Sequence, residues 1–214
     1  MTAPDGRQLM WGWAWENFDA AASHYNIGGC LTVAREVHLH GSKVRSRPVA
    51  ELATLRGVPS LDIKETPIAS GTLLADAGGH YDAEFVIAVA EGACVRLNVL
   101  ADAAGTEHTD IVLDRRTGLI GIDTTASTLY LTPARGEHLV PGDPAEPVHV
   151  RALVEANVLE VFIDGRPFTA RIYPSGTGRA VTIAADGDAH LLRGTVWPVT
   201  ESTITDQRPS RGTA

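Results

Sequence analysis

A chain of 214 residues, 44% hydrophobic and 21% charged, is long enough for one or two domains with a true core and is ordinary in composition for a soluble globular protein. A formal net charge of −8 argues against a nucleic-acid footprint, and no apolar run is long enough to span a membrane. Cys30 and Cys94 lie far apart without ligand spacing, which predicts two buried free thiols rather than a disulfide or a metal site.

In chain order, residues 1–8 read as a polar lead with an Asp5-Gly6 turn. There is no basic region followed by an apolar core, so no signal peptide is expected; a start at Met1 would make the protein cytoplasmic. In Leu9–Glu16, LMWGWAWE, the residues Trp11, Trp13 and Trp15 fall two apart. A single strand over this stretch would place all three on one face, with Gly12 and Ala14 on the other. Asn17–Ser23 reads as a loop, Tyr25–Val33 and Arg35–Leu39 as short strands, and Gly41-Ser42 as a turn. Pro48–Gly57, PVAELATLRG, predicts a short helix with proline at its start, Leu52 and Leu55 three apart, and glycine at its end.

From Val58 to about Val199 short strands and turns alternate with no long helical period, which predicts an antiparallel sandwich. Asp62–Ala75 leads in, HYDAEFVIAVA (His80–Ala90) alternates, and CVRLNVLA (Cys94–Ala101) is a further strand. Thr109–Asp114 and Gly118–Asp123 flank a hairpin tip at Arg115-Arg116-Thr117. Val148–Pro174 is the most regular stretch: Val148, Val150 and Ala152 alternate with His149, Arg151 and Leu153, and Glu155-Ala156-Asn157 breaks the run. In VLEVFI that follows, Leu159, Val161 and Ile163 share one face, and Val158, Glu160 and Phe162 the other. Asp164-Gly165 then suits the positive φ angles of a type I′ hairpin turn. His190–Val199 is the closing strand, and residues 201–214 are polar and expected to be disordered.

Two blocks carry a resemblance. Val158–Pro174 resembles the strand pair near the C-terminus of glycoside hydrolase family 32, the invertases, levanases and inulinases, where a segment like "DRSVVEVF…G…TSRIYP" closes a second, β-sandwich domain. Leu9–Ala14, Gly28–Glu36 and Pro48–Gly57 resemble that family's "ILWGWANES", "GWAG…SLPRE" and "PVEELETLRG". In the family this block forms the last blade of a five-bladed β-propeller and a helical link. The chain departs at Ala34, where the family has the proline of "LPRE", at Glu155-Ala156-Asn157, which replaces "DRS", and at Gly29, where a tryptophan is usual. The resemblance implies an all-β protein: residues 1–47 a remnant of the last blade, 48–57 a linker helix, 58–200 the sandwich, 201–214 a tail.

Fructose-releasing glycosidases of this kind resemble the retaining pattern, in which a nucleophilic carboxylate and an acid/base carboxylate lie about 5–5.5 Å apart. The family carries them in motifs like "NDPNG" and "EC", with a stabilising aspartate in "RDP". None of these strings occurs here; Asp143-Pro144 follows Gly142 in a sandwich loop. By the resemblance all three carboxylates belong to earlier blades, so no residue inherits a catalytic role, and neither cofactor nor metal is implied. Glu16 falls at the glutamate of "WGWANE", which implies a polar contact near the sugar pocket; its other reading is an exposed strand end. Trp13, with Trp11 and Trp15, reads as a sugar-stacking platform or as packing between blades. His38 and His40 share a strand face without further ligands in reach, which predicts a solvated face. Glu160 reads as an outward position on a sandwich strand, and Arg115-Arg116 as a charge pair. No Ser-His-Asp order, phosphate loop or metal signature is present.

These readings converge on the C-terminal portion of a family 32 β-fructofuranosidase, without its catalytic blades and inactive alone. Its expected partners are sucrose or a fructan if a catalytic propeller completes it, and another copy of itself through the Trp11/Trp13/Trp15 strand; neither nucleic acid nor membrane is expected. An alternative is a stand-alone lectin-like sandwich. That needs exposed aromatics on one face, whereas Tyr81, Phe85, Tyr130, Phe162, Phe168, Tyr173 and Trp197 fall mostly at core-like positions. In a third reading the sandwich only braces a partner.

Overall fold

The computed structural model describes residues 1–15, 29–68, 72–130, 135–142, 146–176 and 179–199. The loop expected over 17–23, the start of the strand expected from Tyr25, Glu16, Asp143-Pro144 and the tail 201–214 lie outside them. Among the described residues, no helix is long and apolar enough to cross a membrane.

The N-terminal segment holds β1 (Gln8–Met10), β2 (Trp13–Ala14), β3 (Cys30–Leu31), β4 (Arg35–His40) and β5 (Lys43–Pro48). They form a β1-β4-β5 sheet and a separate β2-β3 pair. The single strand expected over Leu9–Glu16 is therefore broken. Met10 pairs with Arg35 and Trp13 with Leu31, so Thr32, Val33 and Ala34 face only Trp11 and Gly12. One residue too many on one side forces the ladder apart, as in a bulge. Thr32 bridges the gap: its N–H donates to the Gly12 carbonyl (3.0 Å), and its Oγ1 accepts from the Gly12 N–H (2.8 Å). β5 was not anticipated from its cation-rich KVRSRP. It is an edge strand, where Pro48 removes no ladder bond from an outer neighbour. A 3-10 helix over Ala50–Leu55 takes the place of the expected helix. The spacing of Leu52 and Leu55 suits its three residues per turn.

The sandwich follows, as read. It consists of β6 (Leu61–Pro67), β7 (Thr72–Asp76), β8 (His80–Val89), β9 (Cys94–Ala101), β10 (Thr109–Asp114), β11 (Leu119–Asp123), β12 (Glu137–Pro141), β13 (Val148–Glu155), β14 (Val158–Ile163), β15 (Arg166–Arg171), β16 (Ala180–Asp186) and β17 (Ala189–Pro198). They make two six-stranded sheets, ordered β15-β14-β13-β8-β17-β6 and β12-β11-β10-β9-β16-β7, with every pairing antiparallel.

Alternation sets the core. Tyr81, Phe85 and Ile87 of β8 and Leu159, Val161 and Ile163 of β14 bury completely against Leu97, Ile111 and Ile122 of the other sheet, and Ile172 joins them. On β17 a register shift between Leu191 and Arg193 moves the inward set from Leu191 to Val196. Gly194 follows that bulge, where a Cβ would press on the Phe85 ring at 3.1 Å. The β14–β15 turn has positive φ at both Asp164 (47°) and Gly165 (75°), as a type I′ turn requires. At the β10–β11 tip the Asp114 carboxylate accepts the N–H groups of Arg116 (2.8 Å) and Thr117 (3.3 Å), fixing the turn beside the two arginines.

Candidate functional site

The alternation that buries Leu159 and Val161 turns Glu160 and Phe162 to the opposite face of their sheet. That face is not open to water. Glu160 was expected to be an outward residue on a sandwich strand; the outward face is right, but the N-terminal segment covers it and Glu160 is buried. Glu160 stands opposite Thr169 in the β14–β15 ladder. The Val33 N–H donates to its Oε1 (2.6 Å), and Arg35 Nη2 donates to its Oε2 (2.6 Å) and to Thr169 Oγ1 (2.6 Å). The Arg35 guanidinium also lies 5.3 Å from the centroid of the Phe162 ring. A carboxylate removed from water is tolerable only when its lone pairs are taken and its charge matched, and both conditions are met here. The β4–β5 hairpin adds a backbone tie, from the Ser46 N–H to the Gly165 carbonyl (2.8 Å).

A second cluster anchors the 3-10 helix. Asp82 of β8 is buried and accepts from Arg56 Nε (2.7 Å) and from Arg151 Nε (3.0 Å) and Nη2 (2.8 Å). Arg56 also pairs with Glu84 and lies 3.8 Å from the centroid of the Trp197 ring. Burial works against the Arg56 charge, but the bonds to Asp82 and Glu84 outweigh it and hold its pKa above the usual arginine value. The Gly57 N–H donates to the Pro198 carbonyl (2.8 Å), tying the end of the helix to β17.

Between the two clusters lies a cavity of about 700 Å³ lined by Cys30, Val33, Leu52, Leu55, Glu160 and Arg171, among others. Arg171 Nη1 donates to Cys30 Sγ (3.0 Å). Of the two thiols expected to be buried, Cys94 is, and Cys30 is only half-buried at this seam; both are free. Burial pushes the Cys94 thiol pKa up, and the neighbouring Asp114 adds to it.

Trp13 is half exposed on the β2–β3 pair, and Glu16 lies outside the described residues. His38 and His40 are exposed, and among the described residues no group of three or more His, Cys, Asp or Glu is placed to hold a metal ion. Sequence reasoning missed Arg35, Arg56, Asp82 and Arg151. Asp82 carried the same signal as Glu160, an acid between inward-facing core residues of one strand, here Tyr81 and Ala83; Arg35, Arg56 and Arg151 carried none within their own segments. Chemically the seam is a joint. Glu160 and Asp82 are both bound by arginines, which is unlike an accessible nucleophile beside a protonated acid. Among its described residues the sandwich offers no row of exposed aromatics for a lectin-like site: Tyr81, Phe85 and Phe162 are buried, Phe168, Tyr173 and Trp197 are half-buried, and Tyr130 alone among these is exposed. Phe162 is buried at the seam rather than in the core between the sheets.

Comparison with known proteins agrees. Residues 51–198 match the family described as glycosyl hydrolases family 32 C terminal. The chain is similar to raffinose invertase of Escherichia coli, 28% identical over 212 residues covering 94% of this chain and 41% of that protein. It is also similar to sucrose-6-phosphate hydrolase of Escherichia coli, 26% identical over 206 residues, covering 91% of this chain and 40% of the other. Among solved structures, fructan 1-exohydrolase IIa from Cichorium intybus superposes with a TM-score of 0.78 at 18% identity, over 92% of this chain and 46% of the other. Sucrose-6-phosphate hydrolase from Lactobacillus gasseri gives 0.69 at 16% identity, over 93% and 40%. The chain thus spans about two fifths of the length of the curated relatives it matches. It belongs to glycosyl hydrolase family 32, and its sandwich is that family's C-terminal domain.

Proposed function

We propose that this chain is the bracing part of an enzyme that hydrolyses β-fructofuranosyl bonds in sucrose or a fructan, and that it does not perform the hydrolysis itself. The observation that carries this reading is the seam. The outer face of β14 and β15 spends its buried carboxylate, Glu160, on holding the backbone and arginine of an N-terminal segment, a use suited to fixing one part of a protein against another. On this reading residues 1–47 are the last blade of a propeller, and Trp13 and Glu16 are the residues of this chain that would face the sugar once the rest of the enzyme is present. The catalytic carboxylates would come from outside this sequence, which holds no "NDPNG", "RDP" or "EC" string. A cytoplasmic setting accords with its two free thiols.

The test is fructose release from sucrose, inulin and levan by the purified chain. The expected result is none above a blank. Release that survives repurification and is lost on substituting a residue of this chain would overturn the proposal.

A further inference from the structure

The seam reaches further into the N-terminal segment than Val33 and Arg35. The β1–β4 ladder ends with Met10 opposite Arg35, and the β2–β3 pair begins with Trp13 opposite Leu31. The β2–β3 pair has two residues in each strand, too few to hold its own geometry in water. The two ladders are out of step by one residue, so no continuous run of strand pairing carries the position of β4 to β2. Thr32, which is buried, carries it instead. Its N–H donates to the Gly12 carbonyl (3.0 Å), and its Oγ1 accepts from the Gly12 N–H (2.8 Å). Two bonds to one residue fix both distance and direction, as a bonded pair of an antiparallel ladder does.

The other side of Thr32 is tied to the sandwich. Its hydroxyl donates to the Val33 carbonyl (3.2 Å), and the Val33 N–H donates to Glu160 Oε1 (2.6 Å), 127 residues away in sequence. A bond to a carboxylate is stronger than one between neutral groups. A hydroxyl that donates is polarised and accepts more strongly, so the bonds at Val33 and Gly12 reinforce each other. Gly12 suits this use, because a Cβ on it would press on Thr32 Cγ2 at 3.2 Å. Trp13 is the next residue, and its ring is seated too: a Cβ on Gly29 would lie 2.8 Å from the indole Nε1, so the indole rests on bare backbone. The contacts thus run from Glu160 through Val33, Thr32 and Gly12 to Trp13.

We propose that Thr32 is a positioning residue: it passes to β2, and so to Trp13, the place that Glu160 imposes on Val33. The proposal rests on the reading above in which Trp13 faces the sugar. Under that reading the sandwich sets where one wall of the sugar site stands. A misplacement of about 1 Å can cost roughly a hundredfold in rate, and this is how a domain remote from the chemistry takes part in it.

The experiment is amide hydrogen exchange and heteronuclear NMR of the full chain as wild type, Thr32→Val, Thr32→Ser, Glu160→Ala and the double variant Thr32→Val with Glu160→Ala. Trp13→Phe assigns the Trp13 indole resonance. Valine keeps the shape of threonine and removes the hydroxyl, and the amides of β8, β9 and β13 report that the sandwich stays folded. The expected result in Thr32→Val is roughly five- to tenfold faster exchange at Gly12 and Trp13 and a shifted Trp13 indole resonance, while Ser46 keeps its protection. Thr32→Ser, which keeps the hydroxyl, should restore both signals. Glu160→Ala should move the same Trp13 signals, and adding Thr32→Val to it should change them by less than about twofold, because two steps of one path are not additive. Unchanged Trp13 signals in Thr32→Val overturn the proposal, as does a serine that fails to restore them or a double variant in which the two effects add in full. These outcomes are separable from the bracing reading: fructose release by the chain would end that reading with the Trp13 signals as expected, and unmoved Trp13 signals would end the path in a chain that releases no fructose.

Discussion

Along β14, Leu159, Val161 and Ile163 meet apolar side chains of the facing sheet, while Glu160 between them meets an arginine and a backbone N–H of the N-terminal segment. The two faces of one strand thus hold two parts of the molecule by different means. Apolar burial is non-directional and grows with area, so it tolerates many substitutions of similar volume. A buried ion pair is directional: both partners must arrive together, since either alone is a charge without water. The sandwich is therefore built on redundancy, and the docking of the N-terminal segment rests on a few bonds.

The largest expected effect comes from breaking the directional side. Glu160→Ala leaves Arg35 buried without its counter-charge and should weaken docking of residues 29–48 by about 3–5 kcal/mol. Hydrogen exchange should show that segment opening while β8, β9 and β13 keep their protection. Replacing the pair with an apolar one, Arg35→Met with Glu160→Leu, should recover the charge part of that loss and fall about 1–3 kcal/mol short of wild type, because the Val33 N–H keeps no acceptor. If the double variant exchanges as fast as Glu160→Ala, the ion pair does more than match charges.

On the apolar side, Val161 is fully buried in the core, and Val161→Ala should cost about 2 kcal/mol of global stability in denaturant unfolding through lost burial and a residual cavity. Its signature differs from that of Glu160→Ala: sandwich strands and N-terminal segment should lose protection together. A change within error would place that face in water and contradict the core described above.

Gly165 tests where the two regions touch. Its φ of 75° disfavours any side chain, and a Cβ there would come within 3.2 Å of Arg45 on β5. Gly165→Ala should cost about 1 kcal/mol, with faster exchange at Ser46, whose N–H is bonded to the Gly165 carbonyl. Unchanged exchange at Ser46 would mean that the turn and β5 move independently.

Smallest is a pH effect confined to the N-terminal segment. The side-chain hydrogen bond from Arg7 holds the Glu51 pKa at about 2, below its ordinary 4.5. The native carboxyl thus binds protons less readily than the unfolded one, so this contribution is fully present above about pH 4.5 and is lost as pH falls through about 2. Both side chains are exposed, so the expected outcome is a modest rise in exchange at Leu9 and neighbouring amides across that window. Glu51→Gln should abolish the pH dependence; if it persists, another group carries it.

The sandwich was legible because its information is local. Alternation in Val148–Ile163 and the Asp164-Gly165 pair fix strand, face and turn within a few residues. The seam was not legible, because Glu160 and its arginine are 125 residues apart. The pattern shows that Glu160 points away from Leu159, but not that something else lies on that side. The broken Trp strand failed for a related reason: alternation describes one strand, while the break arises from a mismatch with residues 32–34. β5 was hidden by its three cations and proline, which an edge strand admits.

The separation of 125 residues also orders events in time. Arg35 leaves the ribosome well before Glu160, and at roughly 5–20 residues per second the interval is about 6–25 s. Throughout it, residues 29–48 lack their partner face, because the outer side of β14 and β15 does not yet exist. The segment that supplies Arg35 is thus made before the face that completes its ion pair. Nascent chains arrested before residue 160 should therefore be cut by protease within residues 29–48, and chains arrested well beyond residue 171 should resist; equal cleavage of both would show that the segment folds without the sandwich.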